Sequence, residues 1–255
     1  MIRARVLPSL LLANLFLLCI PASHAENCSP PSDMSAKLMG TPSVETLNDL
    51  GEWFAQHDQF SCAAQAFATS LDRDLKQPDL PHIAFEFGAA LFFSGDIAGS
   101  VTALKQAESL GYRDVHLNVL LASAFDAQHS TPDAIQEWRK VLDFDPDAAV
   151  ELDSLSTDLV AEHEYQEVID LLEQPRVGPN RTARQYINLG SALVALGRTE
   201  EAANILEDGL NTYASSAELA HQLTTVLTDL HRDEEAAQVL RLSGEEQSDT
   251  TEPAD

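Results

Sequence analysis

A repeat with a period of about 34 residues, typical of stacked helical hairpins, constrains this chain more than any other feature. Gly51, Gly88, Ala122, Ser156, Gly190 and Thr224 stand at spacings of 37, 34, 34, 34 and 34, and each is small. The residue before each is Leu50, Phe87, Leu121, Leu155, Leu189 and Leu223. Three residues after each come Phe54, Leu91, Phe125, Leu159, Leu193 and Leu227. Twelve after come Ala63, Ser100, Ala134, Val168, Ala202 and Ala236. Sixteen after come Phe67, Leu104, Trp138, Leu172, Leu206 and Leu240. Three of these columns contain only Leu, Phe or Trp, so the register is not a chance alignment. Within each half of a unit the apolar spacings are 3, 4 and 7, which puts those residues on one face of a helix. The small column lets two helix backbones approach closely. Between the halves stands a turn position: Asp58, Gly95, His129, His163, Gly197 and His231. Glycine suits it, because the residue just past a helix end often takes the left-handed conformation. Each unit therefore reads as a helical hairpin. It cannot bury its apolar face alone and must stack on its neighbours.

This pattern resembles the tetratricopeptide repeat (TPR) family. The nearest copies are Leu47, Leu50, Gly51, Phe54, Phe60, Ala63 and Phe67 in the first unit, and Tyr186, Leu189, Gly190, Leu193, Gly197, Ala202 and Leu206 in the fifth. Pro146 ends the third unit, as the family's units often end. The resemblance implies an all-α fold, an α-solenoid of six stacked helical hairpins. The expected units are 44–77, 81–114, 115–148, 149–182, 183–216 and 217–243. The family is a scaffold for many partners, so the fold is informative and the function is not.

Several stretches depart from the pattern. The linker between the first two units carries three extra residues and the prolines Pro78 and Pro81. Pro175 falls within the second helix of the fourth unit and should shorten it. No solvating helix follows the sixth unit, and residues 244–255, polar and acidic, read as a disordered tail. The end near Val239, Leu240 and Leu242 is then a candidate self-association surface, unless Glu234, Glu235 and Gln238 make the last helix polar enough to manage alone.

Residues 1–25 read as a cleaved signal peptide. Arg3 and Arg5 form a positive start, Leu10 to Ile20 is apolar but for Asn14, and Ser23-His24-Ala25 supplies small residues at the cleavage positions. Eleven apolar residues fall short of the roughly 20 that span a bilayer, so no stable membrane insertion is expected after cleavage. Cleavage leaves two of the three cysteines, Cys28 and Cys62. An even count in an exported chain points to a disulfide, which would tether residues 26–43 to the first unit. Short export signals of this kind fit a bacterial envelope, with the periplasm or the medium as destination.

Charge narrows the partner. With 15 Lys+Arg against 41 Asp+Glu, the formal charge is −26. Such acidity excludes a nucleic-acid partner, which needs clustered cations. It disfavours anionic membrane surfaces for the same reason. No catalytic motif is present: no His-Glu-x-x-His, phosphate-binding glycine loop, G-x-S-x-G or Cys-x-x-Cys. His82 and His116 share one register and, with Asp126 or Asp153, form the one metal candidate. Two aligned histidines do not make a site, so no metal, cofactor or enzymatic activity is assigned. Asn27-Cys28-Ser29 and Asn180-Arg181-Thr182 match the glycosylation pattern, which is common by chance and carries little weight beside an export signal of bacterial type.

The resemblance implies a concave groove, lined by the first helix of each pair, that holds an extended peptide or a helix. Helical geometry puts His82, Phe85, Phe92 and Phe93 of the second unit there. His116, Val119 and Asp126 of the third unit follow, with Asp153 and Val160 of the fourth. The fifth contributes Arg184, Ile187 and Val194. The three phenylalanines would anchor an apolar or basic partner, or else pack against the first unit. The Lys/Asn/Arg clamp with which some relatives hold a terminal carboxylate is missing; only Asn48 and Arg184 suggest it. The expected function is a non-enzymatic interaction scaffold of the envelope. The alternative is a structural protein that self-assembles through its last unit.

Overall fold

The computed structural model describes residues 28–35, 37–73, 79–146 and 148–249. The expected signal peptide, the linker residues 74–78 and the final residues 250–255 lie outside the described residues. Thirteen α-helices and one short 3-10 turn make up the regular structure, with no strand among the described residues. A short helix α1 (Ser32–Ser35) precedes twelve helices that pair in chain order. The first hairpin is α2 (Val44–Gln56) with α3 (Phe60–Arg73), and the second is α4 (Leu80–Ser94) with α5 (Ile97–Ser109). The third is α6 (Val115–Ala127) with α7 (Thr131–Phe144), and the fourth is α8 (Ala149–Ala161) with α9 (Tyr165–Leu172). The fifth is α10 (Ala183–Ala195) with α11 (Thr199–Thr212), and the sixth is α12 (Ala217–Asp229) with α13 (Asp233–Asp249).

The hairpin turns share one backbone device. All six turn residues have positive φ, including the non-glycines Asp58, His129, His163 and His231 at φ 57° to 64°. The reason is the hydrogen-bond pattern that ends each first helix. The amide after the turn residue reaches back to the carbonyl five positions before, as Ser130 N to Phe125 O (2.9 Å) and Arg198 N to Leu193 O (2.8 Å). The turn residue's own amide takes the carbonyl three before, as His129 N to Asp126 O (2.9 Å). This capping satisfies carbonyls the helix would leave bare.

Packing follows the sequence columns. The large residue at sixteen sits on the small residue that opens the register. A β-carbon added at Gly51 would lie 2.6 Å from the Phe67 ring, and one at Gly88 would lie 2.7 Å from Leu104 Cγ. The column at twelve is buried throughout. Its one polar member, Ser100, satisfies its hydroxyl by donating to Gly88 O at 2.8 Å. One apolar core runs from the second hairpin to the sixth. A second core joins the first hairpin to α4, and Cys28, Met34 and Leu38 of the N-terminal segment pack against it. Cys28 and Cys62 are joined by a disulfide, which fixes that segment to α3.

Pro175 does cut the fourth hairpin short: α9 has eight residues, and Gly178–Asn180 form a 3-10 turn. The C-terminal end differs from the expected tail. Helix α13 continues through 244–249 to Asp249, a stretch in which Glu245, Glu246 and Gln247 have good helix propensity. No helix among the described residues is long and apolar enough to cross a membrane.

Candidate functional site

First helices of successive hairpins touch one another: α4 with α6, α8 with α10, and α10 with α12. That closer approach makes their side the inner, concave one. Along it, Phe92, Asp126, Val160 and Val194 occupy one register, four positions after the small column in successive units. All four are half-buried. They form a stripe that begins apolar, turns acidic at Asp126 and ends apolar.

At the middle of the stripe lies an open hollow of about 390 Å³, lined by Asp126, Asp153, Ser154, Thr157, Asp158 and Arg184. Its walls are braced between repeats. Asp153 Oδ1 accepts from Thr182 Oγ1 (2.7 Å) and from Gln185 Nε2 (2.7 Å). Thr182 and Gln185 are also the capping box of α10, so one pair of residues starts that helix and ties it to α8. Asn188 Nδ2 donates to Ser156 Oγ (2.8 Å) and Thr157 Oγ1 (3.0 Å). Arg184 is held by Glu218 of α12 at 2.8 Å. Trp138 Nε1, from α7, donates to Asp126 Oδ2 at 3.2 Å. Burial raises the carboxyls of Asp126 and Asp153 above the ordinary range. Burial, and then the charge of Asp126, pushes Asp158 up to about 7.

The structure redistributes the expected groove residues. Asp126, Asp153 and Arg184 meet in the hollow. Val119, Val160 and Val194 are half-buried on the same first helices. Phe85 and Ile187 do not belong to the groove surface. Phe85 is buried and stacks on Tyr112 with centroids 4.5 Å apart, and Ile187 is buried in the same core. Both lie on the flank of their helix that the neighbouring hairpin covers. Phe93 is 40% exposed and packs on Phe60 of the first hairpin at 5.1 Å, so the packing alternative describes it better than the anchor. Phe92 meets Phe93 edge-on at 5.4 Å and keeps its place on the stripe.

The two histidines do not converge on a common ligand. His82 Nε2 lies 3.7 Å from Glu86 Oε1, and His116 Nδ1 pairs with Asp114. Among the described residues no group of three side chains could hold a metal ion. Of the two clamp-like residues, Asn48 buries its Oδ1 without a donor, and Arg184 is engaged by Glu218. Sequence reasoning missed Asp158, although a signal existed. Two positions after the small column, the other units carry Trp53, Ala90, Ala124, Ala192 and Val226, and Asp158 is the lone acid.

A stack of helical hairpins in one repeating register is an α-solenoid. More particularly, the chain has the tetratricopeptide-repeat fold. It is similar in structure to a tetratricopeptide repeat protein from Parabacteroides merdae, with TM-score 0.62 and 14% identity over 83% of this chain and 81% of that one. It is also similar to YrrB, described as a TPR protein with an unusual peptide-binding site, with TM-score 0.63 and 11% identity over 76% of this chain and 98% of that one. MamA from Desulfovibrio magneticus, residues 41 to the end, gives TM-score 0.58 and 15% identity over 68% of this chain and 97% of that one. No family model matches the sequence. No curated protein matches it either.

Proposed function

We propose that this chain is an exported, non-enzymatic scaffold whose concave face holds an extended segment of a protein partner, with apolar and basic side chains. The observation that carries the reading is the continuous stripe Phe92, Asp126, Val160 and Val194, with the acidic hollow at its centre. The apolar ends suit aliphatic or aromatic side chains. The central carboxylates suit a Lys or Arg, and the chain's charge of −26 steers such a partner toward the groove. YrrB, with its unusual peptide-binding site, lends the reading support by likeness of fold. Export rests on the N-terminal signal pattern and is supported by the Cys28–Cys62 disulfide, a bond at home in oxidising compartments such as the periplasm.

Calorimetric titration with two peptide sets of equal length tests the reading. One set alternates Leu with Lys, the other Leu with Glu. The basic set should bind at least tenfold more tightly, with affinity falling as salt rises. Phe92→Ala should weaken it about fivefold or more at unchanged melting temperature. Equal affinity for the two sets, or none for either, would sink the proposal.

A second reading is favoured by one observation. Leu240 and Leu242 on α13 are 54% and 58% exposed, at the end of the stack where no further hairpin covers them among the described residues. That end would receive a second copy of the chain. Sedimentation equilibrium across a hundredfold range of concentration separates the readings: a mass that doubles, and returns to monomer in Leu240→Lys, supports self-association.

A further inference from the structure

Two acids occupy positions that the other repeats keep largely apolar. In place of Asp158 the other units have three alanines, Ala90, Ala124 and Ala192, with Val226 and the half-buried Trp53. In place of Asp126 they have Ala55, Phe92, Val160, Val194 and Thr228. These two exceptions fall on adjacent first helices, α6 and α8, and line one hollow. Trp138 of α7 donates to Asp126, while Asp158 Oδ2 is buried without any donor. A buried carboxylate oxygen left without a donor is costly, and a proton held between the two acids removes the deficit.

Among the described residues, the one cation that lines the hollow, Arg184, is already paired. Asp153 of α8 and Glu162, which caps its C-terminal end, add negative charge. From α10, Arg184 lines the hollow but is held by Glu218. On α5, Lys105 lies over the ring of Phe125 at 4.8 Å. On α4, His82 and Glu86 face each other. From α7, Trp138 supplies its single N–H, which donates to Asp126 and also favours the charged form of Asp158.

We propose that Asp126 and Asp158 share one proton and form a proton-operated latch between the third and fourth hairpins. With the proton in place, Asp158 donates to Asp126 and the two first helices are held together across the concave face. When it leaves, two adjacent carboxylates repel, with Glu162 adding to the repulsion, and the hollow widens. Burial and mutual repulsion bring the loss of the proton to about pH 7, as for other carboxyl pairs forced into one site. The latch is a property of the solenoid itself and stands whether or not the concave face holds a partner.

The Trp138 indole N–H reports directly on the pair. In the 15N–1H spectrum of the full chain, its resonance should shift through one step centred near pH 7. Asp158→Asn places a permanent donor in the latch and should abolish the step. Absence of a step between pH 5.5 and 8.5, or the same step in D158N, would overturn the proposal. If D158N does not fold, D126N decides: Asp158 then faces a neutral donor, and its midpoint should fall by more than one pH unit. An unmoved midpoint overturns the proposal. Amide exchange tests the latch as a mechanical element. At pH 8.5 the amides of α6 and α8 should exchange at least threefold faster in the wild type than in D158N, and at pH 5.5 equally. Equal rates at both pH values would overturn it.

Discussion

Leu206 lies directly on the backbone of Gly190: a β-carbon at position 190 would come within 2.8 Å of both Cγ and Cδ2 of the leucine. The contact recurs at Gly51 with Phe67 and at Gly88 with Leu104, each pair sixteen positions apart. It sets how closely the two helices of a hairpin approach. Both partners are buried, so neither can turn away into solvent.

Gly190→Ala should therefore destabilise, although alanine is the better helix former. Overpacking a close-packed interior costs about 1–3 kcal/mol, against a propensity gain of about 1 kcal/mol. We expect a net loss of up to about 2 kcal/mol in urea unfolding, read as a lower midpoint at unchanged slope. The same substitution with Leu206→Val, which clears space, should recover part of the loss.

His129 should respond in the opposite direction. Its φ of 57° is unfavourable for any residue with a β-carbon, by about 1–2 kcal/mol. The side chain is exposed at the turn. His129→Gly removes the clash at some cost in unfolded-state entropy. A rise in stability of about 0.5–1 kcal/mol is expected from the balance of the two, seen as a higher melting temperature. Ala at the same position should bring little or no gain.

The Cys28–Cys62 bridge closes a separation of 34 residues. The chain-entropy model assigns such a loop about 3–4 kcal/mol. Replacing both cysteines with serine should lower the unfolding free energy by an amount of that order. Dithiothreitol should do the same to the wild type and nothing to the double variant. The loss should be felt first in α2 and α3, because Met34 and Leu38 of the tethered segment pack on the first-hairpin core.

Stability should fall as pH rises from about 4 to about 7. Asp126, Asp153 and Asp158 all have carboxyls raised by burial, Asp158 to about 7. A group whose folded pKa exceeds its unfolded value of about 3.9 holds its proton in the native state while the unfolded chain has released it. Its stabilising contribution is complete below the unfolded value and gone once pH passes the folded one. The melting temperature should thus be higher at pH 5 than at pH 8. D158N should flatten the slope between them. Added salt at pH 8 should raise the melting temperature by screening the net charge of −26.

The repeat was fully legible in the sequence, because each helix obeys a local rule. Leu, Phe and Trp at spacings of 3, 4 and 7 fix the buried face, and a small residue fixes the close approach. The turn column was legible too, since a left-handed cap needs only a backbone that tolerates it, and Gly95 and Gly197 mark its place. What a single helix wheel could not reveal was how neighbouring hairpins meet. Phe85 and Ile187 look like groove residues on their own helices. They are buried because Tyr112, just before α6, covers Phe85, and because α8 and α12 both pack on the helix that carries Ile187. The extent of α13 depended on helix propensity outlasting the apolar pattern, which periodicity alone does not register.

The hairpin, its period, its turn and its obligation to stack are all written in the residue order, since they depend on spacings within a single repeat. It also placed Cys28 and Cys62 where a bridge was expected. Which side chains the stack covers, and which carboxylates it crowds together, depends on how successive hairpins meet. Asp126 and Asp158 belong to successive repeats and are harmless to each other along the chain. They meet because the stack brings α6 and α8 to one hollow, where burial and mutual charge act on a pair that no local pattern defines.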